Sequence, residues 1–182
     1  MNSEASVPRR HLVRLHEVWT KYPVYFVTVC VEARRPMLAC EQAHSVLREE
    51  WSVWSERHDW MVGRYVVMPD HVHFFAAPIS GAGRNLSGVV GLWKQWTAKR
   101  LRSAVVDRAG VAQEGGPLRL YPPQAGTAAA RGRLWQRGFF DHLLRGHESR
   151  SEKWDYIRQN PVRAGLCDAA ESWPFAGYVD FE

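Results

Sequence analysis

Two residues, Pro69-Asp70, separate two runs that both read as β-strand, and this short link constrains the fold more than any other feature. The first run is Trp60-Met61-Val62-Gly63-Arg64-Tyr65-Val66-Val67-Met68, and the second is His71-Val72-His73-Phe74-Phe75-Ala76-Ala77. Both are rich in the β-branched and aromatic residues that suit a pleated surface. Parallel strands need a crossover of about a dozen residues or more, so a two-residue link predicts an antiparallel hairpin.

The remaining elements arrange themselves around that hairpin. Val24-Tyr25-Phe26-Val27-Thr28-Val29-Cys30-Val31 reads as a strand buried on both faces. Residues 40–58 place Ala43, Val46, Leu47, Trp51 and Trp54 at three- and four-residue steps, the pattern of an amphipathic helix. A second helix is predicted over 85–103, with Leu86, Val89, Val90, Trp93 and Trp96 on one side. Leu134 to Leu144 reads as a fourth strand. Glu148 to Gln159 reads as a third helix, stopped at Asn160-Pro161 because proline disfavours a helical residue before it.

Between them, residues 104–132 hold seven Ala, five Gly and three Pro without periodicity, as expected of an inserted and mostly disordered surface loop. The order β-α-β-β-α-β-α predicts an α+β fold of the ferredoxin-like β-α-β-β-α-β plan. Its sheet is expected to have four antiparallel strands with helices on one face, plus the C-terminal helix. The expected organisation is a basic arm over 1–22, one domain over 23–175, and a tail over 176–182.

Composition narrows the class of partner. The 182 residues suit a single domain. No apolar run approaches the ~20 residues needed to cross a bilayer, and the first residues lack the apolar core of a secretory signal. Cys30, Cys40 and Cys167 are odd in number and form no CxxC pair, which argues against a disulfide framework or cysteine-cluster zinc site and fits a reducing cytoplasm. A net charge of +5 and nine Trp point to a polyanion partner and flat surfaces for stacking. Candidate phosphate contacts are Arg9, Arg10 and Arg14 in the arm and Lys94, Lys99, Arg100 and Arg102 on the second helix. The alternative for each cluster is a solvated basic face.

Two constellations carry chemistry. Residues two apart on a strand face the same side, so His71 and His73 project together and suit one metal ion; the alternative is one structural and one surface histidine. Tyr156 and Asn160 lie four apart and share a helical face, which would set a nucleophile beside an oxygen donor; the alternative is a packing tyrosine and an ordinary helix terminator.

Three blocks occur in order behind the Tyr25-Phe26-Val27-Thr28 strand: Met68-Pro69-Asp70-His71-Val72-His73, Trp135-Gln136-Arg137-Gly138-Phe139-Phe140-Asp141-His142, and Tyr156-Ile157-Arg158-Gln159-Asn160-Pro161-Val162-Arg163-Ala164-Gly165-Leu166. Together they resemble the REP-associated tyrosine transposases, relatives of the single-tyrosine HUH transposases of small insertion sequences. The resemblance spans residues 22–175, and the 104–132 insertion departs from the compact members. It implies that His71 and His73 are the metal-binding pair, Tyr156 the nucleophile, and Asn160 the third, helix-borne ligand. The implied activity is metal-dependent cleavage and transfer of single-stranded DNA through a 5′-phosphotyrosine link, on a hairpin from a palindromic repeat. The implied cofactor is Mg²⁺ or Mn²⁺, and imidazole ligands favour Mn²⁺ at least as well. Arg163, beside the tyrosine helix, is a further candidate DNA contact or the partner of a carboxylate. The competing expectation is a non-catalytic hairpin-binding protein on the same fold; a pure binder would not need His71, His73 and Tyr156 together. A monomer is expected, with a dimer as the alternative, in the bacterial cytoplasm at the nucleoid.

Overall fold

The computed structural model describes residues 23–80, 85–108, 132–144 and 147–182. Arg9, Arg10, Arg14 and residues 109–131 of the expected insertion lie outside the described residues. The fold is α+β, built on one antiparallel sheet. Its strands are β1 (Val24–Cys30), β2 (Trp60–Val67), β3 (His71–Pro78), β4 (Phe140–Leu144) and β5 (Ala176–Tyr178), in the order β4-β1-β3-β2-β5. The hairpin expected from Pro69-Asp70 is present, with β2 and β3 paired antiparallel.

The sheet has five strands, not four. β5 lies in the segment the sequence assigns to a tail, and it pairs with β2 through Arg64↔Tyr178, Tyr65↔Gly177 and Val66↔Ala176. Three residues, Ala176-Gly177-Tyr178, are too few to carry a strand pattern; backbone pairing to an open edge creates this strand. The following residues extend the contact, with the Val62 amide donating to Asp180 Oδ2 at 2.7 Å. Gly63 lies where the β2–β3 register shifts, and a Cβ there would meet the Phe181 ring at 2.6 Å. Glycine therefore lets this last ring lie on the strand.

Helices α1 (Glu41–Ser52), α2 (Trp54–His58) and α3 (Leu86–Arg108) cover one face. The expected 40–58 helix is broken at Val53, whose backbone leaves the helical region (φ −101°, ψ 5°). α3 continues through residues 104–108, which the sequence assigns to the insertion. Trp51, Trp54 and Trp93 form the core of this face as expected, and Trp51 stacks on Trp93 with centroids 5.3 Å apart. Trp96 departs from expectation and is 48% exposed, one position too far round the helix to reach the sheet.

The fourth strand is shorter than expected and begins at Phe140. Leu134 to Phe139 instead forms an irregular crossing, pinned by a Val31–Trp135 bridge and by the Trp135 indole donating to buried Thr97 Oγ1 at 3.0 Å. Helix α4 (His147–Arg158) packs on the opposite face through Ile157 and Trp154, against Phe26, Phe75 and Val66. It stops where expected, but Pro161 then starts a short turn, α5 (Asn160–Arg163). Proline has no N–H to continue the ladder, yet its fixed φ suits a first helical turn.

Candidate active site

Strand alternation decides what the α4 face displays. Val72, Phe74 and Ala76 of β3 enter the tryptophan-rich core, so His71, His73, Phe75 and Ala77 point the other way. On neighbouring β1, Phe26, Thr28 and Cys30 share that side, with Thr28 opposite His73 and Cys30 opposite His71.

The two imidazoles converge, with His71 Nε2 3.1 Å from His73 Nε2. Each ring is held from behind. His71 Nδ1 is 2.6 Å from Asp70 Oδ1, and His73 Nδ1 is 2.8 Å from Thr28 Oγ1. A carboxylate only accepts, so the Asp70 contact favours the His71 tautomer with its proton on Nδ1 and a lone pair at Nε2. The Thr28 hydroxyl can accept in the same way from His73. Two lone pairs facing each other at that separation repel unless a cation lies between them. Metal–nitrogen bonds of about 2.1 Å meeting near a right angle span about 3 Å, so this donor pair fits a divalent ion. Burial is the main reason that both imidazoles stay neutral. It lowers His71, against the opposing influence of Asp70, and it takes His73 down to about 3, with His71, Lys153 and Arg34 adding to the effect.

A second layer holds Asp70. Arg34 Nε lies 2.7 Å from Asp70 Oδ2, and its Nη1 donates to Cys30 Sγ at 2.7 Å. Ala33 and Arg34 both have positive φ (54° and 53°), a left-handed pair that costs non-glycine residues about 1 kcal/mol or more each. The bend returns the Arg34 guanidinium to the hairpin turn. Sequence reasoning did not single out Thr28, Asp70 or Arg34. Asp70 was legible as the neighbour of His71; Thr28 and Arg34 become visible only once β1 lies beside β3.

Tyr156 stands on α4 with 61% of its surface exposed, so its ring is not a core packing residue. The Arg163 guanidinium lies 4.3 Å from the centroid on the ring, and Lys153 Nζ lies 5.8 Å away. Arg163 also donates to the Tyr156 carbonyl at 2.6 Å and to Asn160 Oδ1. The oxygen assigned to a metal is thus held by an arginine, and Asn160 opens α5 instead of continuing α4. Among the described residues, no group of three or more His, Cys, Asp or Glu forms a complete metal cage.

The basic residues of α3 lie across the sheet from the histidines, and two of them are engaged internally. Lys94 Nζ donates to the carbonyls of Gln136, Arg137 and Gly138, and burial lowers its pKa. Arg100 pairs with Glu49 and Glu50. Lys99 lies over the exposed Trp96 ring at 5.4 Å, and Arg102 faces outward near the Gly132 carbonyl. The sequence showed a charge cluster but not these partners, which come from distant segments.

This five-stranded α+β arrangement is the fold of the REP-associated tyrosine transposases, and the resemblance read from the sequence holds along most of the chain. A solved structure of such a transposase bound to a REP hairpin superposes with a TM-score of 0.59 at 21% identity, covering 91% of this chain and 82% of that one. A Haemophilus influenzae protein named as a candidate REP-associated tyrosine transposase is 22% identical over 163 residues, 88% of this chain and 82% of that protein. The crystal structure of a candidate transposase from Deinococcus radiodurans matches with a TM-score of 0.50 at 14% identity, covering 81% of this chain and 97% of that one. No family model matches the chain. No described helix is long and apolar enough to cross a membrane.

Proposed function

We propose that this chain cleaves and rejoins single-stranded DNA at hairpin-containing repeats, using Tyr156 as nucleophile and a divalent metal held by His71 and His73. The observation that carries the reading is the pair of imidazole Nε2 atoms 3.1 Å apart, each ring fixed from behind by Asp70 or Thr28. A transposase of the same fold is bound to a REP hairpin, which supports hairpin DNA as the partner here.

When bound, Mg²⁺ or Mn²⁺ would withdraw charge from a phosphate oxygen and orient the phosphorus. The protein's own part is positional. Burial keeps the imidazoles neutral, Asp70 and Thr28 keep them aimed, and α4 carries the exposed Tyr156 on the same sheet face. The Tyr156 oxygen bonds to phosphorus as the bond to the 3′ oxygen breaks. The phenol proton passes to solvent, and the 3′ oxygen takes up a proton and leaves as a hydroxyl. The link to tyrosine conserves the bond energy, so the 3′-hydroxyl of a second strand can reverse the step without ATP. Asn160 serves as a third ligand only if its amide turns away from Arg163.

The test is a denaturing gel of purified protein with a labelled oligonucleotide carrying a hairpin and a single-stranded flank. The expected result is a covalent protein–DNA adduct with Mn²⁺ that disappears with EDTA, in Tyr156→Phe and in His71→Ala. A shifted native complex in every lane with no adduct would replace this reading with the hairpin-binding protein.

A further inference from the structure

Lys153 lies one helical turn before Tyr156, so their side chains rise from the same face of α4. Its ammonium lies 4.8 Å from the Phe26 ring centroid and 5.8 Å from that of Tyr156. The same Phe26 ring stacks on His73 with centroids 5.3 Å apart. A continuous line therefore runs from imidazole to phenyl ring to ammonium to phenol. A phosphate attacked by Tyr156 while bound beside the histidines must lie along that line.

Four neighbouring cations are otherwise engaged. Arg34 is bound to Asp70, Arg158 to Asp155 and Glu171, Arg64 to Glu182, and Arg163 to the Tyr156 carbonyl and Asn160. Among the described residues Lys153 forms no ion pair, and its ammonium rests on two aromatic faces. An aromatic face holds a cation by only about 1 kcal/mol and leaves its charge unneutralised. A lysine on a flexible stem, set between the proposed nucleophile and the proposed metal ligands, suits an anion.

We infer that Lys153 is a catalytic residue that grips a non-bridging oxygen of the scissile phosphate. Its charge offsets the negative charge that accumulates as the Tyr156 oxygen approaches, and it neither gives nor takes a proton. This rests on the proposed tyrosine chemistry, so the test must separate the two.

The experiment measures the adduct rate at saturating DNA for wild type, Lys153→Met and Lys153→Arg. Two oligonucleotides are compared, one with a normal scissile phosphate and one with an uncharged methylphosphonate at that linkage. DNA affinity by fluorescence anisotropy and Mn²⁺ affinity by titration are read alongside. On the phosphate, Lys153→Met should slow adduct formation about 10²-fold, while Lys153→Arg retains most of the rate. DNA and Mn²⁺ affinities should change less than threefold, about. On the methylphosphonate, wild type and Lys153→Met should react at nearly equal rates, because there is no charge to neutralise. A Lys153→Met enzyme as fast as wild type on the phosphate overturns the inference. So does an equal slowing on both substrates, which would make the lysine a support for the rings. Absence of any adduct in wild type refutes the tyrosine chemistry instead.

Discussion

On one face of the sheet Trp51, Trp54, Trp93 and Trp135 are at most 2% exposed and interlock with Phe74 and Tyr65. On the other, the apolar cluster thins towards the His71 end of β3, where the imidazoles meet and where Phe140 and Tyr156 are 50% and 61% exposed. The first face buries its rings throughout the core. The second buries Phe26, Phe75 and Trp173 but leaves Phe140 and Tyr156 open beside the imidazoles. A site can keep polar and exposed groups at little cost in stability if another layer supplies the burial.

Truncation of the packed face should produce the largest loss. Trp51→Ala removes a ring that stacks on Trp93 and touches Tyr65 and Phe74, and it should cost about 3–5 kcal/mol. The indole N–H groups of Trp51 and Trp93 have no acceptor in the core. Trp51→Phe should therefore be milder than its lost volume suggests, because it also removes a buried donor without a partner. Urea unfolding of both variants checks this; a Trp51→Phe loss as large as its share of the lost ring volume would show that the orphan donor carries no cost.

The next effect comes from acid on the open face. Burial takes His73 from its ordinary value near 6.5 down to about 3 and lowers His71 in the same direction. The unfolded chain therefore takes up protons near pH 6.5, while the folded chain refuses them. Stability from this source is fully present above about pH 6.5 and is lost as pH falls towards about 3. The slope for His73 is at most about 1.4 kcal/mol per pH unit. Urea midpoints measured from pH 7 to 4 should fall, and His73→Gln should flatten the curve. A variant curve parallel to wild type would place the acid sensitivity elsewhere, with His44 of the packed face, also lowered by burial, as the next group to replace.

Much of this contrast was legible before folding. Period-two alternation in His71 to Ala77 separates imidazoles from core side chains, and three- and four-residue spacing places Trp51, Trp54 and Trp93 inward. What could not be read depends on contacts made across the fold. β5 exists because the β2 edge was open to it. Trp96 sits on the helical stripe by count but at its margin by geometry. Thr28 gains its relation to His73 from a pairing 45 residues away in sequence.

Lys94 tests that limit with a smaller effect. Sequence placed it among the DNA contacts, whereas its ammonium holds three successive carbonyls that shape the crossing before β4. Lys94→Met keeps the stem and removes the donors, and it should cost about 1 kcal/mol, since the carbonyls can partly turn to water. DNA affinity should then change no more than the loss of fold predicts. A weaker complex with unchanged stability would return Lys94 to the DNA surface.

The smallest change in stability should come from the residue proposed as nucleophile. Tyr156→Phe removes one hydroxyl from a ring that is mostly in water, and the phenyl face that meets the Arg163 guanidinium remains. Such a surface change should stay within about 0.5 kcal/mol of wild type, even as adduct formation disappears. The pairing of intact stability with lost adduct separates a nucleophile from a packing residue. If Tyr156→Phe destabilised the protein as a buried aromatic substitution does, the phenol would belong to the architecture of this face, and the two sides of the sheet would differ less than their exposures indicate.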